Sequence, residues 1–144
     1  MIYTELTEKA LKLCFTAHKE QTDKNGIPYV FHPFHLAEQM NDELSVVVAL
    51  LHDVVEDTDL SLEDLAQMGF PREVTEAISL LTHAPNLPYE EYLIPIKANH
   101  IARRVKLADL HHNTDQTRLR HPSPHIRRKW ETYRKAIAFL SEES

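Results

Sequence analysis

An all-α domain is what this chain predicts, on three observations. Only two glycines occur in 144 residues, no stretch alternates apolar and polar residues as a half-buried strand does, and apolar residues recur at the helical period between capping and breaking signals. Residues 4–20 carry Leu6, Ala10, Leu13, Cys14 and Ala17 on one face, with Thr4 ahead of Thr7 and Glu8 as the start of the helix. Asn25-Gly26 and Pro28 make residues 21–29 a loop that can fold as a small hairpin-like turn. His32-Pro33 opens a short helix to about residue 41, because proline suits a first helical turn. A central helix is expected over 43–56, broken by Thr58-Asp59. Ser61-Leu62-Glu63-Asp64 follows the capping-box pattern and starts a helix that stops at Gly69, and Pro71 starts another to about residue 82. Pro85 and Pro88 mark a loop, followed by helices over 89–94 and 96–113; after Pro122 and Pro124 a last helix covers 125–140. No repeat, low-complexity tract or linker divides the chain, so residues 1–144 are expected to form one domain.

Composition narrows the function. The lone Cys14 lies in an apolar helical pattern and excludes both a disulfide framework and a cysteine-rich zinc site. No signal-peptide pattern and no apolar run of the ~20 residues a bilayer requires is present, so a cytoplasmic protein with no membrane partner is expected. The net charge of −6 hides a segregation: residues 97–135 hold eleven of the sixteen Lys and Arg against three acids, while no Lys or Arg lies between Gly26 and Pro71. One half attracts cations and the other anions, which suits a phosphate-rich small molecule held beside a metal. Confinement of the positive charge to one region argues against nucleic acid as the ligand.

The run Val46-Val47-Val48-Ala49-Leu50-Leu51-His52-Asp53-Val54-Val55-Glu56-Asp57 begins as a buried helix and ends with four ionisable side chains in six residues. Carboxylates persist in an apolar setting only when paired, hydrogen-bonded or bound to metal. On a helix, His52 and Glu56 are four apart, as are Asp53 and Asp57, so one helix end can carry a metal and a general acid/base. His32, at a loop-to-helix junction, and Asp109, an acid in the apolar phase of a basic helix, are candidates to complete the ligand set. Nitrogen and oxygen ligands with positions left to water suit Mn²⁺ or Fe²⁺ better than a closed tetrahedral zinc site.

His32, His52-Asp53 and the distant Asp109 resemble the H…HD…D signature of the HD-domain phosphohydrolases. Gly26-Ile27-Pro28-Tyr29-Val30-Phe31-His32-Pro33, Leu50-Leu51-His52-Asp53-Val54-Val55-Glu56-Asp57-Thr58 and Val105-Lys106-Leu107-Ala108-Asp109 with Asn113 are similar to the hydrolase domain of the RelA/SpoT alarmone enzymes. With no room for a synthetase or regulatory domain, the chain looks most like the stand-alone small alarmone hydrolases.

The resemblance implies a helical fold around one metal, Mn²⁺ with Fe²⁺ or another divalent cation as alternatives, and removal of the 3′-pyrophosphate of ppGpp and pppGpp. It implies His32, His52, Asp53 and Asp109 as metal ligands and Glu56 and Asp57 as the acidic pair that orients and deprotonates the attacking water. Lys24, Asn113, Lys129 and Tyr133 are the implied substrate contacts. Asp23 stands where the family carries an arginine expected to stack on guanine, and Leu110 and Asp115 replace basic residues. These departures leave open a dNTP, NADPH or a nucleoside monophosphate as substrate, or a catalytically silent nucleotide-binding module. Monomer and homodimer both remain open.

Overall fold

The computed structural model describes residues 1–142, so the last two residues of the expected 1–144 domain lie outside the described residues. The all-α expectation is borne out: among the described residues the regular elements are helices, with one isolated antiparallel bridge between Thr22 and Pro28. Helix α1 (Glu5–His18) starts in a reciprocal capping box between Thr4 and Thr7. The loop after it folds back as a tight turn in which Asp23 N–H donates to Ile27 O at 2.8 Å and Tyr29 N–H to Gln21 O at 2.9 Å. Gly26, at φ 77°, supplies the left-handed residue this turn needs. Helix α2 (Phe31–Glu38) then brings His32 into the interior.

Helix α3 (Glu43–Leu51) is the axis of the fold. Its six residues Val46, Val47, Val48, Ala49, Leu50 and Leu51 are all fully buried, because α1, α2, α6 (Arg72–Leu81) and α8 (His100–Asn113) pack around it. Each large apolar side chain so buried contributes about 1.5–3 kcal/mol. The expected single helix over 43–56 is corrected: α3 ends at Leu51 and a four-residue helix α4 (Val54–Asp57) follows. At the break, His52 Nδ1 lies 2.7 Å from Ala49 O, so the ring takes a carbonyl that a continuing helix would use.

Ser61 and Asp64 cap α5 (Leu62–Gln67) reciprocally, and Gly69, at φ 95°, turns the chain towards α6. The expected division between helices at 94 and 96 moves to Asn99. Helix α7 (Tyr89–Ala98) runs on through Pro95, and Asn99 leaves helical geometry at ψ 116° to cap Ala102 N–H at 2.9 Å, starting α8. Ser123 caps α9 (Pro124–Ser141), which lies against α8 and α7. Cys14 is buried, and burial first, with the Asp53 charge second, pushes its thiol up to about 12, as expected of an inert core residue.

Asp42 caps α3 by accepting from Ser45 N–H at 2.9 Å and pairs with Arg104 of α8 at 2.9 Å. Partial burial opposes its charge, but the Ser45 and Arg104 contacts hold its carboxyl below the ordinary value. A depressed folded pKa gives stability that is present above the unfolded pKa and lost as pH falls through the folded one. Asp42→Ala is therefore expected to cost ~1 kcal/mol at neutral pH, read as a melting temperature lower by roughly 2–4 °C, with the gap to wild type closing in acid.

Candidate metal centre

Three elements deliver one ligand atom each to a common point. His32 from α2, His52 from the end of α3 and Asp109 from α8 place a nitrogen or oxygen within 4.8 Å of one another, and all three side chains are buried. His32 Nε2 lies 2.8 Å from Asp109 Oδ1, and His52 Nε2 lies 3.7 Å from the same oxygen. Asp53, expected as a fourth ligand, stands outside this mutually close trio. One of its oxygens lies 3.1 Å from His52 Nε2 and accepts from the Tyr29 hydroxyl.

The protonation pattern shows what this point requires. His52 donates Nδ1–H to Ala49 O, which leaves Nε2 as a lone pair that is buried and has no aligned hydrogen-bond donor. That lone pair faces the carboxylates of Asp53 and Asp109, an arrangement that is stable only with a cation or a proton between them. Burial opposes a charged imidazole, yet Asp53 and Asp109 raise His52 well above its ordinary value, so the carboxylates call for positive charge at this spot. Asp53 is held at about 2: burial is the largest influence and would raise it, but the charge and hydrogen bond of His52 together with the Tyr29 hydrogen bond bring it down. Asp109 also lies well below the usual carboxylate range against a burial penalty, chiefly through Lys106, then through His32 and His52. A His, His, carboxylate set with fixed tautomers suits a divalent cation.

Surrounding groups fix these ligands, and sequence reading misses several of them. Lys106 Nζ pairs with Asp109 Oδ2 at 3.1 Å and lies over the Tyr92 ring. Asn113 donates to Asp109 Oδ1 at 3.0 Å. The His112 ring stacks on His32, and their Nδ1 atoms are 2.7 Å apart. Burial, followed by Arg118, lowers His112 to about 3, so it stays neutral and can accept from His32 Nδ1–H. His18 is fully buried, and its Nδ1 lies 2.9 Å from Gln21 Oε1. The Lys106-to-Asp109 spacing was readable as an i,i+3 pair; the contacts of Tyr29 and His112 join elements far apart in sequence.

Two cavities meet at Tyr133. A cavity of about 180 Å³ is lined by His52, Asp53, Asp109, Lys106 and Glu56. The Glu56 carboxylate is held there by His83 N–H at 2.6 Å. Asp57 is not among its lining residues; partial burial, then Asp53 and Glu56, push its carboxyl up. The larger cavity, about 390 Å³, is lined by Lys24, Asn113, Lys129 and Tyr133, the four expected substrate contacts, together with His32 and Asp23. Slight burial, then the Lys129 charge, lowers Lys24, which places two ammonium groups within influence of each other. Asp23, a departure from the family's arginine, has a local role: its Oδ1 accepts from the amides of Asn25 and Ile27 at 2.8 and 3.0 Å, so this carboxylate closes the turn.

No family model matches the chain. It is 32% identical over 92 residues, 61% of its length, to a guanosine-3′,5′-bis(diphosphate) 3′-pyrophosphohydrolase of Aquifex aeolicus, and 35% identical over 79 residues, 52% of its length, to the bifunctional (p)ppGpp synthase/hydrolase SpoT of Escherichia coli. A putative chloroplastic GTP diphosphokinase of Arabidopsis thaliana is 31% identical over 143 residues, covering 84% of the chain. The chain spans only 13%, 11% and 16% of these relatives. A solved structure, described as a metazoan ortholog of SpoT that hydrolyzes ppGpp and plays a role in starvation responses, superposes with a TM-score of 0.76 at 25% identity, covering 97% of this chain and 87% of that one. In sequence to the pyrophosphohydrolases, and in fold over nearly its whole length to the metazoan SpoT ortholog, this chain is similar to the HD-type RelA/SpoT-like hydrolases, and its buried His/His/Asp cluster accords with that likeness.

Proposed function

We propose that residues 1–144 form one HD-type phosphohydrolase domain that removes the 3′-pyrophosphate of ppGpp and pppGpp, giving GDP or GTP and pyrophosphate, with Mn²⁺ as the working cation and Fe²⁺ as an alternative. The observation that carries this is the buried lone pair of His52 facing two carboxylates, at the end of a cleft whose other part presents Lys24 and Lys129. His32, His52 and Asp109 would hold the cation, with Asp53 beside His52 as the fourth ligand. When bound, the cation supplies Lewis acidity at the reacting phosphoryl group and acidifies water. Glu56, oriented by the His83 amide, takes the proton from the attacking water; Asp57, at the far end of the same short helix, supports it. The water oxygen bonds to the phosphorus attached at the 3′ position, the bond from that phosphorus to the 3′-oxygen breaks, and the 3′-oxygen leaves with the proton that Glu56 took up. Lys24 and Lys129 bind phosphate, while Asn113 and Tyr133 line the cavity for the nucleoside.

Asp23 in the nucleotide cavity favours one second reading, an HD hydrolase of another phosphorylated nucleotide such as a dNTP, NADPH or a nucleoside monophosphate. Separate assays of pyrophosphate and orthophosphate with Mn²⁺ distinguish the two. The proposal expects pyrophosphate from ppGpp, and orthophosphate from another nucleotide with none from ppGpp would overturn it.

Two further outcomes follow from the ligand geometry. Metal analysis after dialysis against Mn²⁺ should find about one ion per chain, lost in His52→Ala and Asp109→Ala; His112→Ala, which removes the acceptor facing His32 Nδ1, should weaken affinity roughly 10–100-fold. Unchanged content in Asp109→Ala would remove Asp109 from the centre. Glu56→Gln should keep the metal while turnover falls roughly 10²–10⁴-fold, and equal activity to wild type would exclude Glu56 as the base.

A further inference from the structure

Arg118 closes a three-residue 3₁₀ turn (Gln116–Arg118) after α8 and enters the wall shared by the 390 Å³ cavity and a neighbouring one of about 510 Å³. Its guanidinium is anchored from both sides. Nη1 donates to His112 O at 2.8 Å and lies 3.4 Å from Asn113 Oδ1; Nη2 lies 3.6 Å from Asp23 Oδ2. Its own carbonyl accepts from Asn25 Nδ2 at 3.2 Å, so the turn at 23–27 and the end of α8 grip the same residue. The side chains of Arg118 and Asp23 are 28% and 23% exposed, enough for a ligand in the cavity to reach them.

Nη1 is thus hydrogen-bonded by the protein, and Nη2 faces the Asp23 carboxylate, whose negative charge disfavours a phosphate at this edge of the guanidinium. What remains for a ligand is the planar face, the part of a guanidinium that stacks on flat π-systems. We infer that Arg118 is the specificity-determining residue of this cleft: a platform anchored by Asp23 and the end of α8, it stacks on the planar base of the nucleotide, while phosphates go to Lys24, Lys129 and the metal centre. The inference rests on the proposed nucleotide substrate. It reverses what the departure at position 23 suggests. Asp23→Arg would not restore a contact; it would remove the acceptor for two turn amides and set like charges against Arg118.

The test measures KM and kcat for ppGpp, and by calorimetry the Kd of ppGpp, GDP and inorganic pyrophosphate, on the Mn²⁺-loaded chain. Arg118→Ala and Arg118→Lys are both expected to raise KM and the Kd of ppGpp and GDP roughly tenfold, the size of a partly desolvated cation–π contact, with kcat, metal content and pyrophosphate affinity kept. Arg118→Lys retains the charge and loses the plane together with the two-sided anchoring of the fork. Wild-type affinity in Arg118→Lys, or pyrophosphate affinity lost in step with ppGpp, would overturn the stacking role. Pyrophosphate binding and melting temperature guard against a misfolded variant. Wild-type turnover of ppGpp with an unchanged KM in Arg118→Ala sinks this inference and leaves the hydrolase standing. Arg118-dependent binding of ppGpp and GDP without turnover keeps the platform and sinks the hydrolase. No binding of either by the wild type would sink both.

Discussion

Asp109 is a carboxylate with little access to water, and the arrangement of the molecule follows from what surrounds it. Its two oxygens meet His32 from α2, Asn113 and Lys106 from its own helix, and, at longer range, His52 from α3. An isolated charge at that depth would protonate rather than remain. It remains because Lys106, itself raised above its ordinary value by Asp109 against a burial penalty, supplies one positive charge, and the two imidazoles supply the rest as protons or as ligands to a cation. Removing one partner leaves the others as uncompensated buried polar groups, so the residues form a unit that binds three helices to one point.

That unit also sets where chemistry can occur. The helix break at His52 turns Asp53 and Glu56 towards the 180 Å³ cavity, and the basic stretch 97–135 supplies Lys106 to the metal side and Lys129 to the nucleotide side. The charge segregation visible in the sequence therefore becomes a gradient along one cleft, from paired carboxylates to paired ammonium groups. A ligand with phosphate to bridge them fits this gradient better than a neutral or cationic one.

The helical class and the buried α3 were legible because they depend on local signals: period, caps and proline placement. So was the convergence of His32, His52 and Asp109, through their setting and their resemblance to a known motif. The break after Leu51 was not legible, since the apolar run continues through Val54 and Val55; a side chain returning to a carbonyl ends the helix where composition would extend it. The continuation of α7 through Pro95 was missed for the opposite reason, because a strong local breaker is tolerated once neighbouring packing holds the helix. Asp23 looked like a lost contact because, besides closing its own turn, it faces Arg118, ninety-five positions away. Pairings of that kind leave no periodic trace.

The account depends on a cation sitting among these side chains, and anomalous diffraction from Mn²⁺-soaked crystals at the manganese edge tests that most directly. The predicted result is one strong peak within bonding distance of His32 Nε2, His52 Nε2 and a carboxylate oxygen of Asp109, with His52 Nδ1 still on the Ala49 carbonyl. No peak at that position, or a peak elsewhere on the chain, would contradict it.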